Sequence, residues 1–182
     1  MDEATERIIM GCQKGDAKSQ ERLYMAYYRY AMSIALRFSA SMEDAREIVN
    51  DSFVKVFKKI QLFDKGKEFR PWLRRIVVNS SIDRYRADLK ECGDACSLDL
   101  AASYTDNLSC LDDLNAQDII SLINRLPENY RIPFVLYELE GYSHAEIAVS
   151  LNIKESTSRS NLTRAKQQLQ QLLQNQYSYE RH

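Results

Sequence analysis

Residues 142–169, YSHAEIAVSLNIKESTSRSNLTRAKQQL, constrain the fold more than any other stretch, because they spell a helix, a tight turn and a second helix with chemistry marking each boundary. Ser143 can accept a hydrogen bond from the Glu146 amide while Glu146 reaches back to the Ser143 amide, so S-H-A-E predicts a capping box. Ile147, Ala148 and Leu151 form the expected inner face, and the small Ala148 admits the next helix closely. Asn152 falls where the chain must reverse, a place for the left-handed dihedrals that Asn tolerates, and Ile153 returns to the core. Ser156 is the expected N-cap of the second helix, whose apolar stripe runs through Leu162, Ala165, Leu169 and Leu172.

Projected at about 100° per residue, Thr157, Ser160 and Arg164 lie opposite that stripe, with Arg159 and Thr163 on one flank. Arg can grip guanine bidentately, and Ser or Thr hydroxyls can serve bases or phosphate oxygens. The unit therefore has the form that lays one helix into a DNA major groove. A merely solvated basic face is the plain alternative, and cap, turn and stripe together weigh against it.

With 182 residues, five Gly and three Pro, the chain can bury one or two modest cores, and strand signals are scarce, so an all-α fold is expected. No run of about 18 to 20 apolar residues could span a bilayer, and the acidic start MDEATER lacks the basic region of a signal peptide; a cytoplasmic location without membrane insertion follows as the expectation. Cys12, Cys92, Cys96 and Cys110 do not have zinc-ligand spacing, and Cys92 and Cys96 read as reduced thiols, so no metal or cofactor is expected.

A net charge of −1 argues against a nucleic-acid binder until it is resolved along the chain. Phe63 to Lys90 carries eight bases against four acids, whereas Glu91 to Ile120 carries seven acids and neither Lys nor Arg. A second basic stretch surrounds Lys154, Arg159, Arg164 and Lys166.

The N-terminal part reads as four helices. The first covers about residues 3–14 and ends near Gly15, and Asp16 caps the second, whose apolar face is Leu23, Tyr24, Tyr27, Tyr30, Ile34 and Phe38. Ser41 and Asp44 open the third, in which Ala45, Ile48, Val49, Ser52, Phe53, Val56, Phe57 and Ile60 keep helical spacing. The fourth spans about residues 69–89, with Trp72, Leu73, Ile76, Val77 and Tyr85 inward and bases outward. Residues 91–110 lose periodicity and read as an acidic linker. Beyond it, Leu111, Leu114, Ile119, Leu122, Ile123 and Leu126 predict a helix stopped before Pro127, and the next runs to Leu139 with Gly141 as its stop. Pro133 should kink that helix or delay its start.

Three segments in this order, EDAREIVNDSFVKVFKKI, FRPWLRRIVVNSSIDRYR and LPENYRIPFVLYELEGYSHAEIAVSLNIKESTSRSNLTRAK, resemble regions 2 and 4 of the extracytoplasmic-function sigma factors of bacterial RNA polymerase. The resemblance covers nearly the whole chain. It implies two small helical domains, region 2 at 1–90 and region 4 at 111–176, joined by the acidic linker at 91–110. It implies that Asp44, Glu47, Asn50, Asp51 and Lys55 contact the clamp helices of core polymerase, with Ile48, Phe53 and Val56 packing the core. Minus-ten recognition and melting, which capture an unstacked base, fall to Phe63, Lys65, Trp72, Arg75, Asn79, Asp83 and Arg84, with Arg74 and Arg75 facing phosphate. Minus-thirty-five recognition falls to Thr157, Arg159, Ser160, Thr163, Arg164 and Lys166, while region 4 rests on the polymerase flap.

Two departures limit the transfer. Ser156-Thr157-Ser158 stands where the family commonly has Gly-Thr-Val, and Asn161 stands where Arg is frequent, so promoter preference does not carry over. The implied partners are core RNA polymerase, promoter DNA and an anti-sigma factor. A stand-alone helix-turn-helix regulator is the rival, and it should bind duplex by itself. A sigma factor should bind weakly alone, its basic patch masked beside the acidic linker. An enzyme needs convergent catalytic groups, and the nonterminal His144 lies inside the helix-turn-helix with no acid pair or phosphate-binding glycine loop nearby.

Overall fold

The computed structural model describes residues 2–39, 41–64, 66–92 and 114–179, with side chains placed for 2–39, 41–64, 66–90 and 119–174. Its order is α1 (Glu3–Gln13), α2 (Ala17–Ala35), α3 (Met42–Lys59), a 3-10 turn (Ile60–Leu62), α4 (Phe69–Cys92), α5 (Leu114–Asn124), α6 (Glu128–Phe134), a π-helical turn (Val135–Leu139), α7 (His144–Leu151) and α8 (Glu155–Tyr179). There is no strand among the described residues, and no described helix is long and apolar enough to cross a membrane. The expected acidic linker lies largely outside the described residues, as do Lys65, Cys96 and Cys110.

Polar side chains start the N-terminal helices, those of α2 and α3 as expected. Asp2 accepts from the Thr5 amide, Asp16 from Ser19 and Ser41 from Asp44, each satisfying a donor that the first turn leaves orphaned. Gly15 ends α1 at φ 78°, and the amide of Asp16 returns to the Gly11 carbonyl. Gly11 is needed for a different reason: a Cβ there would lie 2.0 Å from Ser19 Oγ, so α1 and α2 pack closely only over a missing side chain.

Helices α1 to α4 pack on one another around Ile9, Leu23, Ile34, Phe53, Phe69 and Leu73, all buried. Each such side chain stabilises the fold by about 1.5 to 3 kcal/mol relative to exposure. The inward residues expected on α3 are in place, and buried Ser52 and Ser81 return their hydroxyls to Ile48 and Val77 carbonyls. Aromatic rings from α2, α3 and α4 interlock, including Tyr24 on Phe53 at 4.7 Å and Tyr27 on Phe69 at 4.8 Å.

In the C-terminal part α6 and α7 both pack on α8, with Ile132, Leu136, Ile147 and Ala165 fully or nearly fully buried. The helix expected from Leu111 to Leu126 is α5; Ile120 and Ile123 face inward, while Ile119 is 57% exposed. Pro133 has no amide hydrogen for the carbonyl one turn before it, and the backbone widens into the π turn immediately afterwards. Gly141 at φ 76° then ends the segment, with the Tyr142 amide closing back on the Leu136 carbonyl.

Candidate nucleic-acid interface

The helix-turn-helix forms from local signals. Ser143 and Glu146 make both bonds of the capping box, and those bonds hold the Glu146 carboxyl below its ordinary range, the Ser143 amide being the larger cause. Asn152 adopts φ 54° and ψ 46°, and the Ile153 amide closes on the Ala148 carbonyl. Ser156 is not the cap of α8. The helix already begins at Glu155, the Ser158 amide bonds the Lys154 carbonyl, and Ser156 sits in the first turn. Fully buried Ser158, absent from the expected stripe, extends it and links the two helices through a 3.0 Å contact with His144 Nδ1, whose ring stacks on Tyr137.

The outer side of α8 presents Arg159, Ser160, Thr163, Arg164 and Lys166 to solvent, with Thr157 half-buried beside them. Ser160 and Thr163 donate their hydroxyls to the carbonyls of Thr157 and Arg159, leaving the oxygens able to accept. Arg159 pairs with Glu155 one turn back, and Lys166 with Glu138 at 2.7 Å. Arg164 lies over the Tyr130 ring and donates to its hydroxyl at 3.2 Å. Tyr130 and Glu138, on neighbouring segments, were not legible as partners of the recognition helix, because no local spacing links residues 28 or more positions apart.

On the N-terminal unit the expected minus-ten residues divide. Arg75, Asn79 and Asp83 are exposed along one side of α4. With Lys55, Lys59, Arg86 and Ser150, Asn79 and Asp83 line a cleft of about 360 Å³ between α3, α4 and α7. Phe63 is a correction: it is 5% exposed, with Phe69 at 5.5 Å and Trp72 at 5.1 Å, so it anchors the loop from inside rather than forming an open wall for a base. Trp72 is half-buried against the same cluster.

Arg84 is a second correction. Its guanidinium reaches Glu47 at 2.5 Å, Asp88 at 3.1 Å and Asp44 at 3.5 Å, so it clamps α3 to α4 instead of standing open to a minus-ten base. The Glu47 hydrogen bond, foremost, raises its pKa further. Of the residues expected at the polymerase surface, Asp44 and Glu47 thus share this clamp, Asn50 accepts from the Tyr24 hydroxyl at 3.0 Å, Lys55 pairs with Asp83 at 2.8 Å, and Asp51 is exposed.

Arg74, expected toward phosphate, lies in this docked arrangement between the two units. It donates to both oxygens of Glu140, at 2.6 and 3.0 Å, and to the Leu139 carbonyl. Arg37, from the turn after α2, lies 3.7 Å from the same carboxylate, and Arg86 donates to the Val149 carbonyl on α7. Sequence reading missed Arg37 and Glu140 because the pairing spans the chain.

The family model described as Sigma-70 region 2 matches residues 23–90, and that described as Sigma-70, region 4 matches residues 116–169. The chain is 29% identical to the ECF RNA polymerase sigma-E factor of Salmonella typhimurium, over 95% of this chain and 96% of that protein. It is 28% identical to the sigma-E factor of Escherichia coli K12 over the same shares, and 24% identical to the RNA polymerase sigma-H factor of Pseudomonas aeruginosa over 94% and 95%. Its fold is similar to that of the sigma factor RpoE solved in complex with the anti-sigma factor NepR from Bartonella quintana, with a TM-score of 0.51, 24% identity, and 87% and 98% of the two chains covered.

Proposed function

Because the chain belongs to the extracytoplasmic-function group of sigma-70 factors and is an RNA polymerase sigma factor, we propose that its two helical units divide promoter recognition between them. Region 4, at 111–176, reads the minus-thirty-five element through Thr157, Arg159, Ser160, Thr163 and Arg164, with Lys166 on phosphate, and rests on the polymerase flap. Region 2, at 1–90, binds the clamp helices and opens the minus-ten element, with residues 91–110 as the linker. The observation that carries the region 4 reading is the recognition helix, which exposes cations and hydroxyls on one side while Ser158, Leu162 and Ala165 seat the other.

For melting, Arg75, Asn79 and Asp83 are favoured by their exposure along α4, and Lys65 stays with them as the loop cation of the family pattern. Asp51, Asn50 and Lys55 offer the polar side of α3 to the clamp. The protein performs no catalysis of its own and works in the cytoplasm, where polymerase is. An anti-sigma factor is its expected restraint, a reading supported by the Bartonella neighbour, which was solved bound to one.

The test is reconstitution. Purified chain mixed with sigma-free core polymerase should direct specific initiation from a promoter library, and Asn79→Ala should reduce permanganate reactivity of minus-ten thymines more than recruitment. A template mismatched across the minus-ten element should restore initiation. Duplex recognition by the free chain, with no initiation in the presence of core, would favour the stand-alone regulator.

A further inference from the structure

Glu140 belongs to region 4, yet its carboxylate is held by region 2, with only 3% of its side chain exposed. Arg74 grips it with Nε and Nη2 in a two-pronged fork, and Arg37 Nη1 approaches the oxygen on the second prong. Two cations thus converge on one anion. Arg70, lying over the Tyr30 ring on the same helix, and exposed Arg75 extend the positive surface along α4.

We propose that Arg37 and Arg74 form a seat for a DNA backbone phosphate, and that Glu140 fills this seat when the two domains are docked, so that docking and phosphate binding exclude each other. The inference rests on the sigma reading above. The guanidinium fork that matches two carboxylate oxygens also matches the two free oxygens of a phosphodiester, which carries the same single charge.

Geometry requires that the seat be vacated on a promoter. The minus-ten and minus-thirty-five elements lie about 25 base pairs apart, or about 85 Å of duplex at 3.4 Å per step. A compact chain of this length has a radius of gyration of about 16 Å, so the docked molecule cannot reach both. Once region 4 moves away, Arg37 and Arg74 face each other without Glu140. Two like charges then stand together without the carboxylate that neutralised both, so the emptied pair favours a replacement anion. DNA is then alongside. The Ser150 wall of the cleft containing Asn79 and Asp83 also leaves with region 4, which makes one movement uncover both the phosphate seat and the melting surface.

The experiment uses the full chain without polymerase, so its outcome is separate from whether the protein supports initiation. Dyes on the two domains report docking by energy transfer, and anisotropy measures binding to a 40-base-pair duplex of random sequence and to a 20-nucleotide single strand across salt concentrations. Glu140→Gln should lower transfer, tighten binding of at least one probe about tenfold, and steepen the salt slope by about one phosphate. Glu140→Asp, which keeps the charge, should behave like the parent. Adding Arg37→Ala or Arg74→Ala to Glu140→Gln should reverse the gain, and Arg74→Lys, which keeps charge but loses the fork, should restore it only partly. The proposal is overturned if Glu140→Gln opens the molecule without tightening either probe, or leaves it docked. It is equally overturned if the double variants bind as tightly as Glu140→Gln alone.

Discussion

Arg84→Ala tests whether that residue is a clamp or a DNA contact, and the two roles leave different signatures. Its guanidinium meets Glu47, Asp88 and Asp44, with the four side chains 38 to 61% exposed. Exposed pairs contribute about 0.2 to 1 kcal/mol each, so after allowance for solvent screening the three together should stabilise by about 1 to 2 kcal/mol. In a chain of this length each kcal/mol moves the melting midpoint by about 2 to 4 °C. The variant should therefore melt several degrees below the parent in 50 mM salt. The gap should narrow in 1 M salt, where screening acts over about 3 Å. Holoenzyme carrying the variant should keep the parent's dependence of promoter affinity on salt, because no phosphate contact is lost. An unchanged midpoint together with a salt slope reduced by about 0.9 would refute the clamp and return Arg84 to the DNA surface.

Ser143→Ala should cost about 1 kcal/mol in a urea titration through loss of the cap. Its partner sets a pH signature: the Glu146 carboxyl is lowered in the folded state, so its contribution is complete above about pH 4.3 and disappears as pH falls through the lowered value. The melting difference between parent and Glu146→Ala should accordingly be steady near neutrality and vanish in acid. Asn152→Val should cost about 1 to 2 kcal/mol in urea because valine resists left-handed dihedrals, while Asn152→Gly should remain near the parent. Arg164→Ala should relax minus-thirty-five preference by about 1 to 3 kcal/mol in promoter competition, whereas Lys166→Ala should weaken every promoter alike; uniform loss for Arg164→Ala would make it a phosphate contact.

What the sequence disclosed is what short spacing determines. Ser143 and Glu146, Asp16, Ser41, Asn152 and Gly141 lie within a turn of the groups they satisfy, and each appears where local chemistry predicts. Apolar periodicity likewise placed Ile48, Phe53, Leu162 and Ala165 inside. Phe63 and Arg84 were misplaced, and the docked partner of Arg74 was missed, for a shared reason: an aromatic or basic side chain near a nucleic-acid pattern looks free until distant partners occupy it. Phe63 is enclosed by rings from α4, Arg84 by carboxylates 37 and 40 positions away, and Arg74 by Glu140, 66 positions away. Ser156 failed more locally, because the helix begins at Glu155, two residues before the start at Thr157 that a Ser156 cap implies.

The π turn at Val135–Leu139 acts as a phase setting for everything that follows it. Its closing bond runs from the Glu140 amide to the carbonyl five residues back, one residue more than an α-helical bond would span. A one-residue deletion that kept the π turn would rotate the downstream chain by about 100° and draw it in by about 1.5 Å. Glu140 would swing off the Arg37–Arg74 axis, while the capping box, the left-handed Asn152 and the recognition helix kept their own sequences intact. The number of residues between Pro133 and Gly141 is thus a lever on domain docking that is separate from the residues assigned to reading DNA, and a change of length there could retune one without rewriting the other.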